Sequence, residues 1–376
     1  MAQAPIVGMV GAGQLARMTA QAAVSLDVRM RILAGPDEVP VTPAGVEVAR
    51  GATTPAELIA FGRTCDVVTF DHEGVAAASV AAVEAEGIAV RPAGRTLALA
   101  VDKSEQRWRL AEAGFPVPTF AVAEDRSAVA DFVERHGPAV VVKAATGGYD
   151  GRGVWFVEGA DEAVAVLERC GRVVLEPVLD LDRELAVIVA RRPGGEAVVY
   201  PVVETVQRAG ICREVLAPAR VDPAIAAEAA EVARGIAEHL DATGLLAVEL
   251  FVVDGAVLVN ELAARPHNSG HLTIEGAVTS QFENHLRAVL DWPLGPTDLR
   301  APAVAMANVI TESSDDDLHA RLPDALALGP VHVHLYGKSP RPGRKVGHVT
   351  VLADDLDVAA DLARRAADVL IGRDAP

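Results

Sequence analysis

LLAVELFVVDGAVLVNELAARPHNSGH, residues 245–271, reads as two apolar strands, Leu245–Val253 and Val257–Leu262, turning at Asp254-Gly255. Each strand carries one acid, Glu249 or Glu261, where burial without a partner is expensive. A three-residue loop, Asp254–Ala256, pairs 253 with 257 and sets Glu249 opposite Glu261; a two-residue loop sets it opposite Asn260. The first register puts two carboxylates on one face, an oxygen pair suited to Mg²⁺ bridging nucleotide phosphates. It is preferred over a pair of half-exposed strand acids because Leu250, Phe251, Val252 and Val253 surround Glu249. Arg265, His267, Asn268, Ser269 and His271 follow at once, a polar run that reads as an anion pocket beside the metal acids.

Upstream, strands at Ala139–Ala145 and Val154–Val157 flank the loop Gly147-Gly148-Tyr149-Asp150-Gly151-Arg152-Gly153. Its four glycines offer backbone N–H groups to phosphate, Arg152 adds a guanidinium, and Lys143 leads in from the preceding strand. Glycine-rich hairpins are common; one holding Tyr, Asp and Arg just after a Lys is less so. A helix at Asp161–Cys170 and a strand at Val173–Val178 complete a small α+β unit. Strands Glu184–Arg191, Ala197–Val206 and Ile211–Leu216 come next. The helix Pro223–Leu240 follows, with an apolar stripe at Ile225, Ala229, Val232, Ile236 and Leu240.

The first hundred residues have a different grammar. Strands Ile6–Val10, Arg29–Ala34 and Asp66–Phe70 alternate with helices Gln14–Ser25, Ala56–Arg63 and Val75–Glu86, the order of a parallel doubly wound sheet. Gly11-Ala12-Gly13-Gln14-Leu15-Ala16 matches the GxGxxA dinucleotide fingerprint, so a dehydrogenase is one alternative. The acid which that fingerprint wants after the second strand comes only past a proline turn, Gly35-Pro36-Asp37. A tight turn, or a site for a different phosphate, fits better. A linker helix, Asp102–Ala113, joins this region to the next. Beyond Pro293–Pro302 lies a β-rich piece that closes on a helix at Asp355–Leu370. Lys338, Arg341, Arg344 and Lys345 cluster within it. Gly337-Lys338-Ser339 is no P-loop, since His332 stands where the leading glycine should be.

The 376 residues predict two or three domains, and 51% hydrophobic content excludes wholesale disorder. With 34 basic against 52 acidic residues, the formal charge of −18 argues against a nucleic-acid or membrane-surface binder. Cys65, Cys170 and Cys212 lie far apart, as expected of reduced thiols in a cytosolic chain. Neither a signal peptide nor a membrane-spanning run is expected.

VGAGQLARM (10–18), TGGYDGRG (146–153), NELAARPHNSGH (260–271), SQFENHLRAVL (280–290) and RPGRKVGH (341–348) together resemble the ATP-grasp superfamily. The likeness is closest to its branch that carboxylates aminoimidazole ribonucleotide in purine biosynthesis, and it runs from Ile6 to the final helix. It implies an ATP-grasp fold of α/β and α+β parts: an N-terminal Rossmann-like parallel-sheet domain (1–101), a lid subdomain (102–180), a large subdomain with the metal site (181–296) and a C-terminal β-rich subdomain (297–376). It implies an ADP-forming ligase that joins bicarbonate to 5-aminoimidazole ribonucleotide through carboxyphosphate, using ATP and Mg²⁺ or Mn²⁺, as a cytoplasmic homodimer.

The resemblance also implies roles. Lys103 and Lys143 would hold ATP phosphates, with Gly147 to Gly153 as the loop above them. Glu176, Pro177, Val178 and Leu179 would face adenine, and Glu184 the ribose. Glu249 and Glu261, with Asn260, would hold the metal. Arg265, His267 and Asn268 would cradle bicarbonate and carboxyphosphate. Tyr149, Asp150 and Arg152 would close over the ribonucleotide, which Glu73, Gly13, Gln14 and Leu15 would line and whose 5′-phosphate Lys338, Arg344 and Lys345 would bind. Two departures stand out: Gln207 replaces a frequent histidine at an ATP contact, and Asp71-His72-Glu73-Gly74 keeps the acid of an EFEN-like segment but not its amide. A formate-dependent glycinamide ribonucleotide transformylase and a non-catalytic nucleotide-binding module remain the rival readings.

Overall fold

The structure, a computed structural model, describes residues 4–148 and 153–373. Its N-terminal sheet is four-stranded and parallel, in the order Glu47–Arg50, Arg29–Ala34, Ile6–Val10, Val67–Phe70. The edge strand Glu47–Arg50 was not expected. It has only four residues and no apolar alternation to announce it. The linker helix expected over Asp102–Ala113 is present as Lys103–Glu112; a further helix, Gly94–Val101, was not expected, and Asp102 between the two caps the second by accepting the Ser104 and Glu105 N–H groups.

A second sheet is four-stranded and antiparallel, ordered Ala121–Ala123, Val173–Pro177, Ala139–Ala144, Val154–Glu158. Helices Arg126–His136 and Ala160–Cys170 close its apolar core around Phe132, Val140, Val142 and Leu175.

The remaining strands form one nine-stranded sheet. Ala256–Ala263 lies at one edge, followed by Gly244–Val253, Arg183–Arg191, Val203–Arg208 and Ile211–Ala217. The C-terminal strands Ala303–Ile310, Lys345–Ala353 and Val331–Leu335 continue the same sheet while keeping an apolar core of their own under helix Leu356–Leu370. The strand expected over Ala197–Val206 is two pieces, Ala197–Val199 and Val203–Arg208. Pro201, which has no N–H to give a ladder, stands in the break. Helix Pro223–His239 buries Ala229, Ala233, Ile236 and Ala237, so its inner face is turned toward alanines and leaves Ile225, Val232 and Leu240 at its margin. No helix among the described residues is long and apolar enough to cross a membrane.

Candidate active site

The two strand acids do face each other, by a different route from the one expected. Val253 pairs with Ala256, so Asp254-Gly255 is a two-residue turn with both residues at positive φ, 49° and 76°. That turn alone would set Glu249 against Asn260. A bulge next to Glu249 makes Asn260 the extra residue, so Leu250 pairs with Val259 and Glu249 with Glu261.

Cationic and amide groups meet both carboxylates. Lys103 Nζ lies 2.5 Å from Glu261 Oε1, His267 Nε2 lies 3.3 Å from Glu249 Oε1, and Asn260 Nδ2 donates to Glu249 Oε2 at 3.4 Å. Burial pushes the Glu249 carboxyl up, but His267, Lys103 and Lys345 outweigh it and hold it below its ordinary value. Glu184 sits on the neighbouring strand opposite Phe251, where burial and then the charge of Glu249 push its carboxyl up to about 7. Among the described residues no group of three or more His, Cys, Asp or Glu side chains suited to a metal is assembled. Two partly exposed carboxylates and an amide nevertheless fit Mg²⁺, which takes few protein carboxylates and fills its sphere with water and phosphate oxygens.

Behind the acids lies a buried charge network. Glu176 takes Arg107 Nε at 2.7 Å on one oxygen and Lys143 Nζ at 2.7 Å on the other, and Lys143 also donates to Asn260 Oδ1 at 3.0 Å. Burial opposes ionisation of Glu176, yet Lys143 and Arg107 hold its carboxyl below the usual range. Lys143 is lowered, by burial first and by the like charges of Arg107 and Lys103, against the pull of Glu176. The Glu176 carboxylate is thus committed to two protein cations. Pro177, Val178 and Leu179 run on from it toward the surface, Val178 being exposed.

The polar run Arg265–His271 follows the second acid. Arg265 Nε donates to Glu73 Oε2 at 2.7 Å, tying the N-terminal sheet to this segment. Burial would lower the Arg265 guanidinium, but Glu73, Asp71 and Glu261 raise it above its ordinary value. His267 Nδ1 accepts the Ser269 N–H at 3.3 Å and meets Ser269 Oγ at 2.8 Å, which leaves the Nε2 hydrogen for Glu249. Asn268 and Asn308 exchange amide hydrogen bonds, 2.9 Å each way.

The N-terminal glycine turn holds protein carboxylates. Gly13 N–H donates to Asp71 Oδ2 at 2.7 Å and Ala12 N–H to Glu38 Oε1 at 2.9 Å. A Cβ on Gly11 (φ 100°) would lie 1.7 Å from Asp71 Oδ1, so glycine is needed for this approach. The donors a dinucleotide pyrophosphate would use are taken, which removes the dehydrogenase alternative. Lys338 Nζ donates to Gln14 Oε1, joining the basic C-terminal cluster to the turn. Leu15 packs with Met18, Phe282 and Tyr336. Arg344 donates to the Ser339 carbonyl at 2.9 Å, and Lys345 opens the strand Lys345–Ala353 with its charge felt at Glu249.

Gln207 lies at a register irregularity opposite Cys212. Gly147, Gly148 and Gly153 flank the glycine loop, and the Ala144 N–H donates to the Gly153 carbonyl at 2.8 Å. Tyr149, Asp150, Gly151 and Arg152 lie outside the described residues. Sequence reasoning missed Arg107, Asp71, Asn308 and Gln281. All four are buried polar side chains; the partners of Arg107, Asp71 and Asn308 come from distant segments, and those of Gln281 from the turn before its helix. Asn308 carried a signal, as a polar residue inside the apolar strand Ala303–Ile310; Arg107 in a polar helix, Asp71 past a strand end and Gln281 at a helix start had none.

Three family models match the chain: a ribonucleotide synthetase preATP-grasp domain over residues 4–101, an ATP-grasp domain over 108–282, and a phosphoribosylaminoimidazole carboxylase C-terminal domain over 304–361. The chain is 46% identical to an N5-carboxyaminoimidazole ribonucleotide synthase of Mycobacterium tuberculosis, over 97% of this chain and 87% of that protein. It is 42% identical to the synthase of Corynebacterium ammoniagenes, over 98% and 92%. Among solved structures, the Aspergillus clavatus N5-carboxyaminoimidazole synthase in complex with ADP and 5-aminoimidazole ribonucleotide superposes with a TM-score of 0.89. It is 32% identical and covers 98% of this chain and 99% of its own.

Proposed function

This chain belongs to the N5-carboxyaminoimidazole ribonucleotide synthases, ADP-forming ligases of the ATP-grasp family, and from that premise we propose how its residues divide the work. The reaction is the ATP-dependent carboxylation of 5-aminoimidazole ribonucleotide to its N5-carboxyamino derivative in purine biosynthesis. The observation that carries the assignment of roles is the bulge at Asn260. It aligns Glu249 with Glu261, which meet His267 and Lys103, while Asn260 between them takes Lys143.

Lys103 and Lys143 hold the phosphates of ATP, the segment Glu176 to Leu179 borders adenine, and Glu184 accepts the ribose hydroxyls. Gln207 is assigned to the ATP side, and Gly147 to Gly153 to the loop above it. Glu249 and Glu261, helped by Asn260, are the residues to hold Mg²⁺ or Mn²⁺, which when bound neutralises phosphate charge during transfer. Arg265, His267 and Asn268 hold bicarbonate, and the Arg265 guanidinium supplies positive charge where carboxyphosphate forms. Glu73, ion-paired to Arg265, sets the ribonucleotide against that carboxyl donor. Gly13, Gln14 and Leu15 line its pocket, Lys338, Arg344 and Lys345 take its 5′-phosphate, and Tyr149, Asp150 and Arg152 close over it.

The four units proposed, 1–101, 102–180, 181–296 and 297–376, meet around this site. A homodimer in the cytoplasm completes the reading, on the family likeness and on three cysteines that lie far apart in the sequence. ADP release measured with ATP, Mg²⁺, bicarbonate or the ribonucleotide omitted in turn tests the assignment. Each omission should abolish or sharply reduce turnover; formate with glycinamide ribonucleotide replacing bicarbonate and aminoimidazole ribonucleotide would refute it.

A further inference from the structure

We propose that Gln281 is a positioning residue: it fixes the backbone of His267, and with it the aim of the bicarbonate-holding groups. The proposal rests on the roles given above to Arg265, His267 and Asn268. Gln281 opens the helix Gln281–Val289 and is fully buried. Its Oε1 accepts the His267 N–H at 2.9 Å, and its Nε2 donates to the His267 carbonyl at 2.7 Å. One side-chain amide thus closes on both backbone groups of one residue. That pairing fixes which way the amide points, because the reverse orientation would set donor against donor and acceptor against acceptor.

The second Nε2 hydrogen points toward His271 Nδ1, 3.2 Å away. The Gln281 N–H donates to Thr273 Oγ1 at 2.8 Å, and that hydroxyl donates to the Gly270 carbonyl at 2.6 Å. Side chain and backbone of Gln281 therefore both grip residues 267–273. Gly270 leaves the room: a Cβ there would lie 2.6 Å from Gln281 Cδ and 2.3 Å from Ile188 Cδ1.

The grip matters because it anchors His267 from outside its own turn. Its backbone is extended, at φ −121° and ψ 152°, where it enters the short turn Asn268–Gly270. Its ring touches Ser269, part of the same turn, and Glu249 only at 3.3 Å. The aim of the ring follows the backbone, and Arg265 is linked to that backbone through one rigid residue, Pro266. A shift of about 1 Å in such a segment costs on the order of a hundredfold in rate.

Gln281→Met, nearly the same size but unable to bond either backbone group, should lower kcat about tenfold or more. The KM for ATP should stay within about twofold, because Lys103, Lys143 and Glu184 sit on other elements. Gln281→Glu keeps the acceptor and sets a second oxygen against the His267 carbonyl. Its kcat relative to wild type should rise from about pH 9 to about pH 6, as a buried acid takes up the proton that restores the donor. Thermal unfolding of both variants shows whether they are folded, and the Glu variant decides if the Met variant is not. Wild-type kcat in Gln281→Met, an equal rise in the KM for ATP, or a Gln281→Glu ratio flat with pH would each overturn the proposal. His267→Ala separates the two readings. Full turnover in that variant defeats the site assignment itself, whereas impaired His267→Ala beside unimpaired Gln281→Met defeats only the positioning role.

Discussion

Changing Glu176 to Gln removes one negative charge and leaves Arg107 and Lys143, both buried, without the carboxylate they share. Glu176 is 2% exposed, so water cannot replace the lost charge without opening the site. Breaking a buried pair in this way typically costs about 3–5 kcal/mol, since the partner left behind keeps its desolvation penalty. At roughly 2–4 °C per kcal/mol for a unit of this size, the expected fall in Tm is about 10 °C. Lys143 already lies below the ordinary lysine value of 10.5, and losing Glu176 pushes it lower. A lysine depressed in the folded state adds stability as pH rises through its folded value, because the folded chain then sheds a proton that the unfolded chain keeps. The deficit of the variant should therefore shrink from pH 7 toward alkaline pH. It should also shrink when ATP is added, if Lys143 meets phosphate there. Differential scanning fluorimetry across pH, with and without ATP, reads all three. A Tm within about 2 °C of wild type at pH 7 would refute the buried-network reasoning, and a deficit that ignores ATP would detach Lys143 from the phosphates.

Three other outcomes follow from the site. Glu261→Gln should lower kcat by about a hundredfold with the fold intact, because it deletes one electrostatic stabiliser at a partly exposed position; near-normal rates at saturating Mg²⁺ in steady-state assays would remove Glu261 from the metal site. Lys345→Ala and Arg344→Ala should each raise the KM for the ribonucleotide by one to two decades, the equivalent of about 1.5–3 kcal/mol for a charge-assisted contact, and leave the KM for ATP nearly unchanged; the opposite pattern would mean the basic cluster serves ATP. In the proposed site Glu184, pushed up to about 7 by burial and Glu249, offers the ribose hydroxyls an ionised carboxylate only above that pH. ATP affinity should therefore weaken as pH falls from 8 to 6, as followed by calorimetry, and the Glu184→Gln variant should lose that dependence apart from the titration of ATP itself.

The residues of this site were legible wherever a polar group breaks an apolar pattern, as at Glu249, Glu261 and the Arg265–His271 run. Their arrangement was less so. Counting loop residues led to the correct facing of Glu249 and Glu261 through the wrong turn, because the Asp254-Gly255 turn and the Asn260 bulge shift the register in compensating ways. A bulge has no signature in a single sequence; this one brings Glu249 and Glu261 opposite each other and leaves Asn260 as the extra residue of the ladder. The glycine turn poses the same difficulty. Gly11 and Gly13 announce that something approaches the backbone closely, and a phosphate was one candidate. The group that arrives is Asp71, brought from the end of a strand sixty residues away by the parallel pairing of Ile6–Val10 with Val67–Phe70. Burial pushes its carboxyl up to about 6 even with the Gly13 N–H and His72 beside it. The turn that would have held a dinucleotide phosphate is thus closed by the protein's own acid, and Gln14 beyond it is left to meet Lys338 from the far end of the chain. Closing the turn from within takes the N–H donors of a cofactor fingerprint for the protein's own carboxylates, and under the proposed roles leaves Gly13, Gln14 and Leu15 as one wall of the ribonucleotide pocket.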